Sequence, residues 1–97
     1  MKGLGPLQVE IIAALRAGAR IGVLTFWRER DGELELCRHA AVYFPTRPEE
    51  GMRRLPWAIV DRLRERGIVR QTYALGGDTY VYALTPAAAA AATVETA

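Results

Sequence analysis

With 97 residues, 51% of them hydrophobic and 25% charged, the chain is expected to form one small globular domain, with no room for a second core. No stretch approaches the roughly 20 apolar residues of a membrane span, and an N-terminus with one Lys and an early Glu10 lacks the pattern of a signal peptide. The single Cys37 excludes an internal disulfide and suits a reducing cytoplasm, where the chain is expected.

A net charge of +2 says little by itself, but its distribution is uneven. Residues 1–46 hold six basic and five acidic side chains, residues 47–71 seven and four, and residues 72–97 none and two, so the excess runs +1, +3, −2. All the basic residues but one are Arg, the side chain whose planar fork fits phosphate and guanine edges.

Residues 1–6 form an irregular lead, because Gly3, Gly5 and Pro6 oppose regular structure. A first helix is expected from Pro6 to about Arg16, carried by Leu7, Ile11, Ala14 and Leu15 with Ile12, and stopped by Gly18. Its polar positions, Gln8, Glu10 and Arg16, together with Arg20, are expected in solvent.

Residues 21–45 admit two readings. As strands, Val23–Arg30 and Glu33–His39 flank Asp31-Gly32, a strong two-residue hairpin signal. That turn would set Arg30 opposite Glu33, Arg28 opposite Glu35 and Trp27 opposite Leu36, all pairs that stabilise a sheet. As a helix, Leu34, Cys37, Ala41 and Phe44 also fall at helical spacing. The hairpin accounts for more residues. Next, Thr46 with Glu49 makes a capping-box pattern and Pro48 suits a first turn, so a short helix is expected from Arg47 to about Arg54 despite Gly51.

Pro56 and Gly67 bracket a second long helix, with Ile59, Val60 and Leu63 as its apolar stripe and Trp57, Ala58, Asp61, Arg62 and Glu65 elsewhere on the cylinder. Ile68 and Val69 lead into extended structure, and Gly76-Gly77 suits a tight hairpin between residues 72–75 and 78–84. Pro86 can open a last helix over Ala87–Ala92, although six alanines bury little and disorder is the alternative there, and residues 93–97 are expected to fray.

Arg62-Leu-Arg-Glu-Arg-Gly-Ile-Val-Arg70 resembles the recognition-helix exit of MarR-like and PadR-like winged-helix regulators, and Tyr82-Ala-Leu-Thr-Pro-Ala87 resembles the end of their wing. The likeness covers about a third of the chain, residues 54–86. It implies an α+β fold, a single small winged-helix domain over residues 1–97 with an extra β-hairpin or irregular insertion before the recognition helix. It also implies a homodimeric transcriptional regulator that sets this helix in the major groove of double-stranded DNA. The DNA-binding residues are then Arg53, Arg54, Trp57, Ala58, Arg62 and Arg70. The arginines would meet phosphate or guanine, and Trp57 a sugar or thymine methyl, unless it belongs to the core. Two features run against the implication: Asp61 and Glu65 share the outer side of the helix, and the wing carries no basic residue.

No catalytic or metal site, no cofactor and no inducer pocket is expected. His39 is the only histidine, and Cys37 with His39 has no second pair to complete a zinc site. The two would share a sheet face in the hairpin, yet no Asn or Asp stands in place to orient a nucleophile. The alternative to DNA binding is a non-catalytic winged-helix module that binds protein, an assembly or inhibitory subunit of the kind phages and mobile elements encode.

Overall fold

A computed structural model describes residues 4–74 and 77–90. Helix α1 (Pro6–Arg16) is followed by strands β1 (Arg20–Arg30) and β2 (Glu33–Tyr43), a 3-10 turn at Pro48–Glu50 and strand β3 (Met52–Leu55). Helix α2 (Trp57–Glu65) and strands β4 (Val69–Ala74) and β5 (Thr79–Leu84) complete the order, and residues 86–90 are again helical. The strands form one antiparallel sheet, β3-β2-β1-β5-β4. No helix among the described residues is long and apolar enough to cross a membrane.

The expected winged-helix domain is therefore not what the chain forms. Its defining pair of helices is missing, since the segment before α2 is strand and not helix. Gly51 adopts φ +72, a left-handed conformation that ends the turn at Glu50, and Met52–Leu55 then pairs with Ala40–Tyr43 along the edge of β2. The short helix expected over Arg47–Arg54 is thus reduced to three residues. Strand hydrogen bonds along β2 take the place of helix packing.

Most local signals are realised. Asp31 (φ 53) and Gly32 (φ 80) make the two positive angles of a type I′ turn, and the register pairs Arg30 with Glu33, Arg28 with Glu35 and Trp27 with Leu36. Both long helices end in the same glycine motif. Gly18 and Gly67 take left-handed angles, while Ala19 N–H bonds Ala14 O and Ile68 N–H bonds Leu63 O, satisfying carbonyls that the helix ends would leave bare. Gln8 departs from expectation: it is buried, and its side-chain Oε1 accepts the N–H of Gly5 (3.1 Å) before the first turn of α1. Gly5 has no side chain for the reciprocal half of a capping box, so Gln8 alone closes this end.

Helices α1 and α2 cover one face of the sheet. Ile11, Ile12 and Leu15 from α1 and Val60 and Leu63 from α2 pack onto Ile21, Val23, Ala40, Val42, Leu55, Val69 and Tyr82. Ala88 from residues 86–90 joins the same cluster; residues 91–92 of the expected last helix and the 93–97 tail lie outside the described residues, as does Gly76 of the expected turn. Because side chains alternate along a strand, Gly22, Leu24, His39, Ala41, Arg54 and Val81 point to the opposite face, which no helix among the described residues covers.

The sheet is wide only at its base. Strand β5 pairs with Ile21–Leu24 and β3 with Ala40–Tyr43, and the last link on the β5 side is Thr25 N–H to Asp78 O (2.7 Å). Beyond that point β1 and β2 continue alone as a two-stranded arm about 20 Å long. It accounts for the elongated outline of 54 × 31 × 22 Å.

Candidate nucleic-acid interface

Where the arm leaves the sheet, on the helical side, a cleft of about 780 Å³ opens between β1–β2, α2 and β4–β5. Its floor is set by strand alternation: Val23, Thr25, Leu36 and Arg38 from the ribbon, then Tyr80 and Tyr82 from β5 and Gln71 from β4, all on one face. Helix α2 supplies the wall with Trp57 at its first turn and Arg64 at its last. Arg70 borders the cleft from edge strand β4, although its pairing with Ala83 directs its Cβ to the other face.

Three arginines thus border a cleft lined also by three aromatic side chains, Trp57 and Tyr80 half-buried and Tyr82 buried, and among the described residues no carboxylate lines it. The Arg38 guanidinium lies over the Trp57 ring, 5.1 Å from its centroid, and Trp57 meets Tyr82 edge to face at 6.3 Å. Arg64 is held from outside the cleft: its Nε donates to Asp61 Oδ1 (3.1 Å) and Nη2 reaches the same oxygen. That hydrogen bond and the adjacent carboxylate charge raise the pKa of Arg64 above the ordinary guanidinium value, so it stays cationic. One face of Arg38 is taken by Trp57. Arg38 is exposed, so its planar group is within reach of a further flat or anionic partner.

The six residues expected to bind DNA do not form one surface. Arg53 points to the helical side and pairs with Glu10 of α1 (3.2 Å), while its neighbour Arg54 points to the open face and donates to His39 Nδ1 (3.0 Å). Arg62 and Ala58 are exposed on α2 outside the cleft, Arg62 beside Gln8, Glu65 and Arg66. Trp57 and Arg70 border the cleft, and Trp57 is also packed against the core.

Arg38, Arg64, Tyr80 and Tyr82 escaped the sequence reading. Counting outward from Asp31-Gly32 places Arg38 opposite Thr25, two residues along the face from Leu36, and alternation about Val81 places Tyr80 and Tyr82 together. Both signals were present in the spacing. The depth of the cleft depends on where α2 packs, which no local pattern carries.

Cys37 and His39 do share a face, the open one. Cys37 Sγ donates to Glu35 O (3.8 Å), and His39 packs edge to face on Phe26 with centroids 4.7 Å apart. Comparison with profiles of known families, with curated proteins and with solved structures finds nothing that matches this chain.

Proposed function

We propose that the protein binds nucleic acid without catalysis, through the arginine- and aromatic-lined cleft, and that it prefers a strand with unstacked bases to a duplex. The observation that carries this reading is the lining itself: Arg38, Arg64 and Arg70 with Trp57, Tyr80 and Tyr82, and no carboxylate among the described residues. Arginines neutralise the backbone, while a base can stack on a tyrosine ring or on a guanidinium plane. Major-groove docking by a helix pair finds no support in a chain whose segment before α2 is a strand. The outer side of α2 also carries Glu65.

Fluorescence anisotropy with labelled single-stranded and duplex oligonucleotides, at low and at physiological salt, tests the reading. Single strands should bind in roughly the micromolar range at low salt, lose affinity steeply with added salt, and bind more tightly than duplex. Arg38→Glu should weaken binding by about tenfold or more, because it reverses a charge in the cleft. Absence of binding at low salt, or an Arg38→Glu variant that binds as well as the parent, overturns it.

A further inference from the structure

The open face of the sheet carries a second, unlike surface. A shallow groove of about 510 Å³ runs across it, floored by Gly22, Leu24, Ala41 and Val81 and edged by Met52 and Tyr43. Leu24 is 41% and Met52 74% exposed, a large apolar presence for a face that no helix among the described residues covers. The Tyr43 ring lies over Gly22, where a side-chain carbon would meet ring Cε1 at 3.3 Å. It is flanked by Tyr73 and by Arg20, whose Nη1 donates to the Tyr73 hydroxyl (3.1 Å).

Strand charge around this groove is basic, and the Asp78 carboxylate, which accepts from the Thr79 hydroxyl (3.3 Å), stands at its β5 end. Register places Arg20 and Arg54 on the open face around it. Of the described strand residues, the two carboxylates on this face are Glu33 and Glu35, both out on the arm and opposite Arg30 and Arg28; Glu35 accepts from Arg28 at 3.3 Å.

From this combination we propose that the open face docks a segment of a partner protein that bears an apolar stripe flanked by carboxylates. Aliphatic floor and basic rim each select one part of that description. A second copy of the chain is a poor occupant, since stacking two such faces sets the arginines of one against those of the other. Nucleic acid is equally poor, since the aliphatic floor offers no hydrogen-bonding groups to base edges. The inference does not rest on the cleft, which lies on the other side of the sheet.

The test uses the whole chain and two synthetic helical peptides with the same leucine stripe, one flanked by Glu and the other by Lys. Anisotropy should show the Glu peptide binding in roughly the micromolar range and at least about tenfold more tightly than the Lys peptide. Leu24→Glu and Arg54→Glu should each weaken it by about tenfold, with Met52→Glu as a third variant should either of those melt early. Arg38→Glu, in the cleft, should leave peptide binding unchanged while it impairs oligonucleotide binding, so the two surfaces fail or succeed separately. Equal binding of the two peptides, no binding of either, or indifference to Leu24→Glu overturns the proposal. So does a sedimentation profile showing a dimer that Leu24→Glu dissociates, or oligonucleotide binding that Arg54→Glu abolishes and Arg38→Glu spares.

Discussion

Neighbouring residues of one strand meet opposite fates in this molecule. Ile21 and Val23 of β1 are 0% and 1% exposed beneath the helices, while Leu24, one position on and pointing the other way, is 41% exposed. Ala40 and Val42 of β2 are buried on the covered side; across the sheet, the open side is apolar as well. Apolar side chains on both faces are the mark of a strand meant to be covered twice. Here the described residues supply one cover, and the difference sets a packed face against one that stays partly in water.

Substitutions can break or sharpen that contrast. Leu63→Ala, at 0% exposure under the covered face, should cost about 2 to 5 kcal/mol by chemical denaturation, through lost burial and the cavity left behind. Gly67→Ala should cost about 1 to 2 kcal/mol in the same assay, because the Schellman turn ending α2 holds this residue at φ +73. On the open face, Leu24→Ala should cost less than about 1 kcal/mol, since much of its side chain already meets water. Were Leu24→Ala to cost as much as Leu63→Ala, the open face would be covered in solution and the contrast would fall.

A pH experiment addresses the open face alone. Burial, and then the neighbouring Tyr73, raise the pKa of Tyr43 above 10.0, while Arg20 pulls the other way. A group raised on folding stabilises the fold below its unfolded pKa, and that stability is lost as pH rises through the folded value. Alkaline melting curves should therefore show a loss of stability that Tyr43→Phe removes. Smallest of all, Trp27→Ser on the arm, at 65% exposure, should move stability by no more than about 0.5 kcal/mol. A larger loss would mean that the arm is covered too.

Local chemistry was readable and its assembly was not. The Asp31-Gly32 turn, the glycine stops at Gly18 and Gly67, the Asp61–Arg64 pair and the stripe of Val60 and Leu63 are all properties of residues within a few positions of one another. The choice between strand and helix for residues 21–45 rested on pairs that only a long hairpin could make, and these are the pairs formed. Met52–Leu55 shows the limit. Nothing in Met-Arg-Arg-Leu favours a strand; its pairing with Ala40–Tyr43 comes from a free edge of β2 that exists only once the hairpin has formed. The helix and strand signals of residues 57–84 are realised as α2, β4 and β5, whereas the short helix expected over Arg47–Arg54 gives way to that edge. The same cause scattered the expected site, because adjacent Arg53 and Arg54 on a strand leave by opposite faces.

Edge strand β4 does not run straight: its register with β5 slips between Gln71 and Tyr73, and the Thr72 hydroxyl donates to Val81 O (3.1 Å). A bulge of this kind increases local twist and spoils the row of unpaired amide groups that a foreign strand would need. On the arm, whose two outer edges are bare, Arg28, Glu29, Arg30, Glu33 and Glu35 do the same by charge. Both devices work against such a sheet lengthening, copy upon copy, into a fibril.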